Sequence, residues 1–151
     1  MGSNLIASAS ADTRILIWNV KTGSFKFNLI GHTDAVISLA HLDSNQLASG
    51  SHDSTVRIWN LTTGMLKFNF SGGNFESIYS LAKLDSNLLA SGSSYSTVKI
   101  WDLNLGQLKH TFNEHTDTVY ALEPLDFYLL GKDKLQGRGG YLSVNSILNC
   151  F

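Results

Sequence analysis

Histidine and aspartate stand close together twice in this chain of 151 residues, as His52-Asp53-Ser54 and as His32-Thr33-Asp34. With serine nearby, these are the residue types of nucleophilic hydrolysis, in which a base-activated hydroxyl attacks a carbonyl beside an oxyanion hole. That chemistry needs the three groups oriented around one pocket. Here they recur at a fixed sequence period, which marks them as structural. The five histidines, His32, His41, His52, His110 and His115, show no ligand spacing, and Cys150 is the single cysteine, so no metal site is expected. Gly137-x-Gly139-Gly140 lacks the preceding strand and following helix of a phosphate loop. No catalytic residue and no cofactor are expected.

The elements that would position these groups are copies of one another. Leu47-Ala48-Ser49-Gly50-Ser51, then Asp53, then Thr55-Val56-Arg57-Ile58-Trp59-Asn60 recurs upstream from Ile6 to Asn19 and downstream from Leu89 to Asp102. The three tryptophans, Trp18, Trp59 and Trp101, are separated by 41 and 42 residues, a period of the size that marks a repeat architecture. Within a copy the period is two. Val56 and Ile58 share one face and Thr55, Arg57 and Trp59 the other, so the segment is a strand. Gln46 to Ser51 makes a strand before it, joined by the turn His52-Asp53-Ser54. After a Gly-ended turn comes an alternating strand with one lysine per copy, Lys26, Lys67 or Lys109, which suits a half-exposed outer edge. Val36 to Ala40, Ile78 to Ala82 and Val119 to Leu122 supply the fourth strand. Four short antiparallel strands with apolar residues on both faces need cover on both sides. Like sheets stacked around an axis provide it, the logic of a β-propeller.

Composition sets the outer limits. With 43% hydrophobic and 15% charged residues the chain can bury a core. A formal net charge of −1 without a basic stripe argues against nucleic-acid binding. No apolar run approaches the roughly 20 residues that span a bilayer, so no membrane partner is expected. The start, Met1-Gly2-Ser3-Asn4, shows no secretory pattern, and one cysteine suits a reducing, intracellular and cytoplasmic home.

Gly31-His32, the Leu47-to-Ser51 strand, Asp53 and the Thr55-to-Asn60 strand resemble, in that order and spacing, the WD-repeat (Trp-Asp repeat) β-propeller family. The resemblance covers residues 4–125 and implies an all-β partial propeller of about three repeats. Residues 4–30 form a partial blade, 31–71 and 72–113 whole blades, and 114–125 the first strand of a further one. It also implies a hydrogen-bonded tetrad in the second blade, His32, Ser49, Asp53 and Trp59, with Ser49 chosen over Ser51. Partial tetrads follow at Ser8, Asp12 and Trp18, at Ser91 and Trp101, and at His115. In the third blade Tyr95 replaces the aspartate and Gly73-Asn74 the histidine, so burial is expected to hold that blade instead of a network.

The family opens its histidine loop and aspartate turn onto one rim. Phe75 and Tyr95 fall in those two loops, where the pattern asks for neither, and exposed aromatics are frequent binding hot spots. Thr33, Asp34, His52, Glu76, Thr116 and Asp117 complete the candidate partner-binding rim. The expected function is a non-catalytic scaffold that binds other proteins. The alternatives are a regulatory or substrate-recruiting segment of a larger enzyme, such as a signalling ATPase or ubiquitin-ligase subunit, or a truncated copy without function. Three blades fall short of the about 4–8 that close a ring. Two chains exchanging their end strands are one expected remedy, a homodimer by blade completion, and an open arc is the other. Residues 126–151 read as a divergent tail with a candidate strand at Tyr141 to Leu148.

Overall fold

The computed structural model describes residues 4–43, 45–71, 73 and 76–125. Among them the β-branched and aromatic runs pair as eleven strands in three antiparallel sheets, with no helix. The first sheet holds β1 (Leu5–Ala9), β2 (Ile15–Asn19) and β3 (Phe25–Leu29). The second holds β4 (Val36–Asp43), β5 (Gln46–Ser51), β6 (Thr55–Asn60) and β7 (Leu66–Ser71). The third holds β8 (Ile78–Lys83), β9 (Leu88–Ser93), β10 (Val98–Asp102) and β11 (Gln107–Phe112). Each sheet is a meander in which consecutive strands pair, so the open, all-β partial propeller expected from the repeat is what the chain forms.

Turn chemistry repeats with the sheets. Asn60 Oδ1 accepts the backbone N–H of Thr62 at 2.8 Å and of Thr63 at 3.0 Å. Asn19 and Asp102 bind the two residues beyond their own neighbours in the same way. The residue after each tryptophan therefore folds the chain back on itself. Gly23, Gly64 and Gly106 finish these turns at φ of 66°, 72° and 68°, where a side chain would be strained. The outer-strand register also slips at each tryptophan, between Ile17 and Trp18, Ile58 and Trp59, and Ile100 and Trp101. These bulges bend the sheet where the large indole must be seated.

The core lies between sheets rather than within them. Ile15, Ile17 and Leu29 of the first sheet pack with Val36, Leu47 and Trp59 of the second. Val56, Ile58 and Phe70 on the other face of the second sheet pack with Ile78, Leu89 and Trp101 of the third. Trp101 stacks on Phe70 with ring centroids 4.9 Å apart and planes 19° off parallel. The central strands β5 and β9 are buried at five successive positions, as strands covered on both faces must be.

One repeat position shows what the neighbour contributes. Leu29 and Phe70 are 0% and 4% exposed, whereas Phe112, at the same place in the third sheet, is 52% exposed. The segment after it departs from expectation. Residues 113–125 carry no strand, although Val119 to Leu122 has the sequence of β4 and β8. A strand exists by pairing, and among the described residues no sheet edge stands beside it. Its Val119 N–H instead donates to the Ser93 carbonyl at 3.0 Å, and Leu122 packs against Ala82, Ala90 and Ile100. The tail, with its candidate strand and glycine run, lies outside the described residues.

Candidate functional site

The loop between β3 and β4 carries His32, the turn between β5 and β6 carries Asp53, and the strands themselves carry Ser49 and Trp59. Folding the second sheet brings all four into one chain of hydrogen bonds. His32 Nδ1 lies 2.7 Å from Asp53 Oδ2, and its Nε2 lies 2.7 Å from Ser49 Oγ. The indole Nε1–H of Trp59 donates to the same Ser49 oxygen at 2.8 Å. An indole only donates, so Ser49 accepts from Trp59 and has its own proton left for His32 Nε2. The imidazole is then neutral, with its proton on Nδ1 and directed to Asp53. Around the carboxylate, Thr55 Oγ1 donates at 2.6 Å, and the N–H groups of Thr33 and Thr55 each donate at 3.0 Å. Ser51 is not part of this chain: its hydroxyl donates to the Asp34 carbonyl.

Electrostatics agree with that proton arrangement. Burial pushes the His32 pKa below its ordinary 6.5, and the Asp53 carboxylate only partly restores it. For Asp53, burial raises the pKa, but the hydrogen bonds from Thr55, His32 and the Thr33 N–H together hold it below 3.8. The unfolded chain therefore binds a proton at His32 more readily than the folded chain does. Stability is expected to be full above about pH 6.5 and to decline as pH falls below it. It declines again below about pH 4, where Asp53 and Glu76, both depressed in the fold, become protonated. Urea midpoints measured at a series of pH values check this, and a midpoint that rises on acidification from neutrality contradicts it.

Serine, histidine and carboxylate thus have the spacing of a hydrolytic triad but not its access. Ser49 is fully buried, and Trp59 occupies its oxygen. A cavity of about 390 Å³ lies elsewhere, lined by Leu5, Ile6, Ala7, Ile17, Leu39, His41, Leu47 and Leu61.

The other sheets keep parts of this chain. Trp18 Nε1–H donates to Ser8 Oγ at 2.9 Å, and Trp101 Nε1–H to Ser91 Oγ at 2.8 Å. Asp12 instead grips the exposed Arg14 guanidinium, 2.5 Å away, which with Ser10 holds its pKa down to about 2. His115 is exposed.

The third sheet corrects two expectations. Glu76, expected on the rim, is only 5% exposed, and the sheet contains a polar network of its own. Ser93 Oγ donates to Glu76 Oε1 at 2.8 Å, Thr97 Oγ1 donates to the same oxygen, and Lys99 Nζ pairs with Oε2. Burial raises the Glu76 pKa, and the bonds from Lys99, Thr97 and Ser93 more than reverse this. Opposite charges on Glu76 and Lys99, with Lys99 standing where Arg57 stands in the second copy, were the available signal.

Of the remaining rim residues, Thr33, Asp34, His52, Tyr95, Thr116 and Asp117 are exposed, and Phe75 lies outside the described residues. His52 belongs to a row that sequence reasoning missed. Its ring lies 5.5 Å from Tyr79 on β8, which meets Tyr120 edge-on at 5.2 Å. Tyr120 is 71% exposed.

A family model described as "WD domain, G-beta repeat" matches residues 23–60 and 66–102. The chain belongs to the WD-repeat family. Among solved structures it is similar to a computationally designed protein, Ika8, with 32% identity and a TM-score of 0.75, over 83% of this chain and 39% of that one. It is also similar to U3-55K, a WD40 protein, with 25% identity and a TM-score of 0.70, over 77% of this chain and 36% of that one. The chain thus spans less than two fifths of either structure's length. No curated protein matches it in sequence. WD40 domains are generally modules that bind other proteins rather than catalysts. Among the described residues of this WD-repeat chain, no helix is long and apolar enough to cross a membrane.

Proposed function

We propose that this WD-repeat chain is a non-catalytic scaffold that binds another protein through the rim carrying His52, Tyr79, Tyr95 and Tyr120. The aromatic row carries the reading. Three rings from two neighbouring sheets and the segment beyond them touch in sequence, and they end on the exposed Tyr120. Exposed tyrosines offer a large contact area with few rotamers to freeze, which favours binding. Asp34 and Asp117, both exposed, precede β4 and its counterpart segment. The buried Ser49 supports the non-catalytic reading, because no substrate reaches its hydroxyl in this fold. The setting we propose is a reducing intracellular compartment, which a chain with one cysteine suits.

Affinity capture with the intact chain tests the scaffold. The double variant Tyr79→Ala with Tyr120→Ala is expected to lose its partners by about tenfold or more. Leu105→Ala, which truncates another exposed side chain away from the row, is expected to keep them. Full retention of every partner by the double variant overturns the proposal.

A further inference from the structure

Charge is sorted between the two ends of the blades. The exposed lysines Lys21, Lys26, Lys67, Lys83 and Lys109 all lie in the half away from the rim. The cations nearer the rim are engaged. Arg14 is paired with Asp12, and Lys99 with the buried Glu76. Arg57 is half-buried, and its Nε–H donates to Thr55 Oγ1 at 3.3 Å. Apart from the imidazoles of His52 and His115, the exposed charges left over among the described rim residues are the carboxylates of Asp34, Glu114 and Asp117.

Two of these carboxylates belong to the aromatic row. The Asp34 carbonyl accepts the Ser51 hydroxyl at 3.0 Å, and the Ala35 carbonyl accepts the His52 N–H at 2.9 Å. Those bonds tie Asp34 to the His52 end. Asp117 stands three residues before Tyr120, at the other end. Each uses one oxygen on its own chain: Asp34 Oδ1 accepts the Ala35 N–H at 2.7 Å, and Asp117 Oδ1 the Thr118 N–H at 2.6 Å. The second oxygen of each has no hydrogen-bond partner among the described residues.

Resting on the scaffold reading above, we infer that the partner segment seated on this row is basic. Its lysine or arginine side chains meet the rings of Tyr79 and Tyr120, with Asp34 and Asp117 as their counter-ions. A tyrosine face attracts a cation through its ring quadrupole, and a lysine or arginine stem adds apolar contact along the ring. Tyr120 is 71% exposed, so its ring can be reached. An acidic segment would meet the same carboxylates with repulsion, so the sign of the rim selects against it.

Fluorescence anisotropy of the intact chain with a labelled peptide of glycine, lysine and arginine tests the inference. Binding is expected, and to weaken about tenfold between about 0.05 and 0.5 M salt as the charges are screened. Asp34→Asn with Asp117→Asn is expected to weaken it by about tenfold, while the amides still accept the Ala35 and Thr118 N–H groups and circular dichroism is unchanged. Asp43→Asn with Asp85→Asn, at the opposite end, is expected to stay within about twofold of the original. No binding of the basic peptide overturns the inference, as does equally tight binding of a glycine–glutamate peptide or an equal loss in the opposite-end variant. Cellular partners lost by the Tyr79→Ala, Tyr120→Ala variant but fully kept by Asp34→Asn with Asp117→Asn overturn the basic segment alone and leave the scaffold standing.

Discussion

Glu76→Ala is expected to cost the third sheet about 3–5 kcal/mol, the largest effect of any single substitution considered, because it leaves the Lys99 ammonium without its carboxylate in a mostly dry site. The two side chains are only 7% and 11% exposed, so water cannot readily replace either partner. Ser93 and Thr97 lose their shared acceptor at the same time. The sign differs for a matched replacement. Glu76→Gln combined with Lys99→Met removes both charges, and the pair should be less destabilising than the sum of the single changes. Thermal or urea unfolding of the four proteins measures that coupling. A loss below about 1 kcal/mol for Glu76→Ala, the size of an exposed ion pair, would contradict the buried network.

His32→Ala comes next, with an expected loss of about 2–4 kcal/mol from a cavity, an unsatisfied Ser49 proton and one lost bond to Asp53. Ser49 loses the acceptor for its proton, and Asp53 loses the imidazole donor while keeping Thr55 and Thr33. Trp59 keeps its bond to Ser49, so the indole should stay buried and its fluorescence should shift little in the folded variant. Against a total stability of about 5–15 kcal/mol, such a loss is large enough to move the melting temperature by many degrees. The acid-linked decline below about pH 6.5 should disappear in the same variant, since the titrating ring is gone. Unchanged melting of His32→Ala would show that the chain of bonds carries no stability.

How much of this was legible in the sequence depends on whether a contact lies within one repeat or between repeats. Trp59, Ser49, His32 and Asp53 stand at fixed places in one copy, and the repeat makes them visible. The turn role of Asn19, Asn60 and Asp102 was equally present but was overshadowed by the glycines that end those turns. Glu76 was misplaced because its loop is one residue longer than its counterpart, so the repeat gave it no aligned position. Its burial follows from Lys99 on β10 and Thr97 just before that strand, 23 and 21 residues away, which only the folding of the sheet brings near. The row from His52 to Tyr79 to Tyr120 is a contact between repeats. It exists only once sheets stack, and no periodicity within a copy announces it. The missing strand at Val119–Glu123 has the same cause. Its sequence is that of a strand, but the edge it needs is not supplied beside it.

The sharpest test of mutual cover between sheets compares three indoles that share one sequence setting. Hydrogen exchange at Nε1–H can be followed for Trp18, Trp59 and Trp101 in a single spectrum of the dilute chain. Trp59 and Trp101, 1% and 3% exposed beneath a neighbouring sheet, are expected to exchange about a hundredfold or more slowly than Trp18, which has a similar serine bond but, among the described residues, no sheet over it. Equal exchange at all three would contradict the stacked arrangement, because only a covering neighbour distinguishes them.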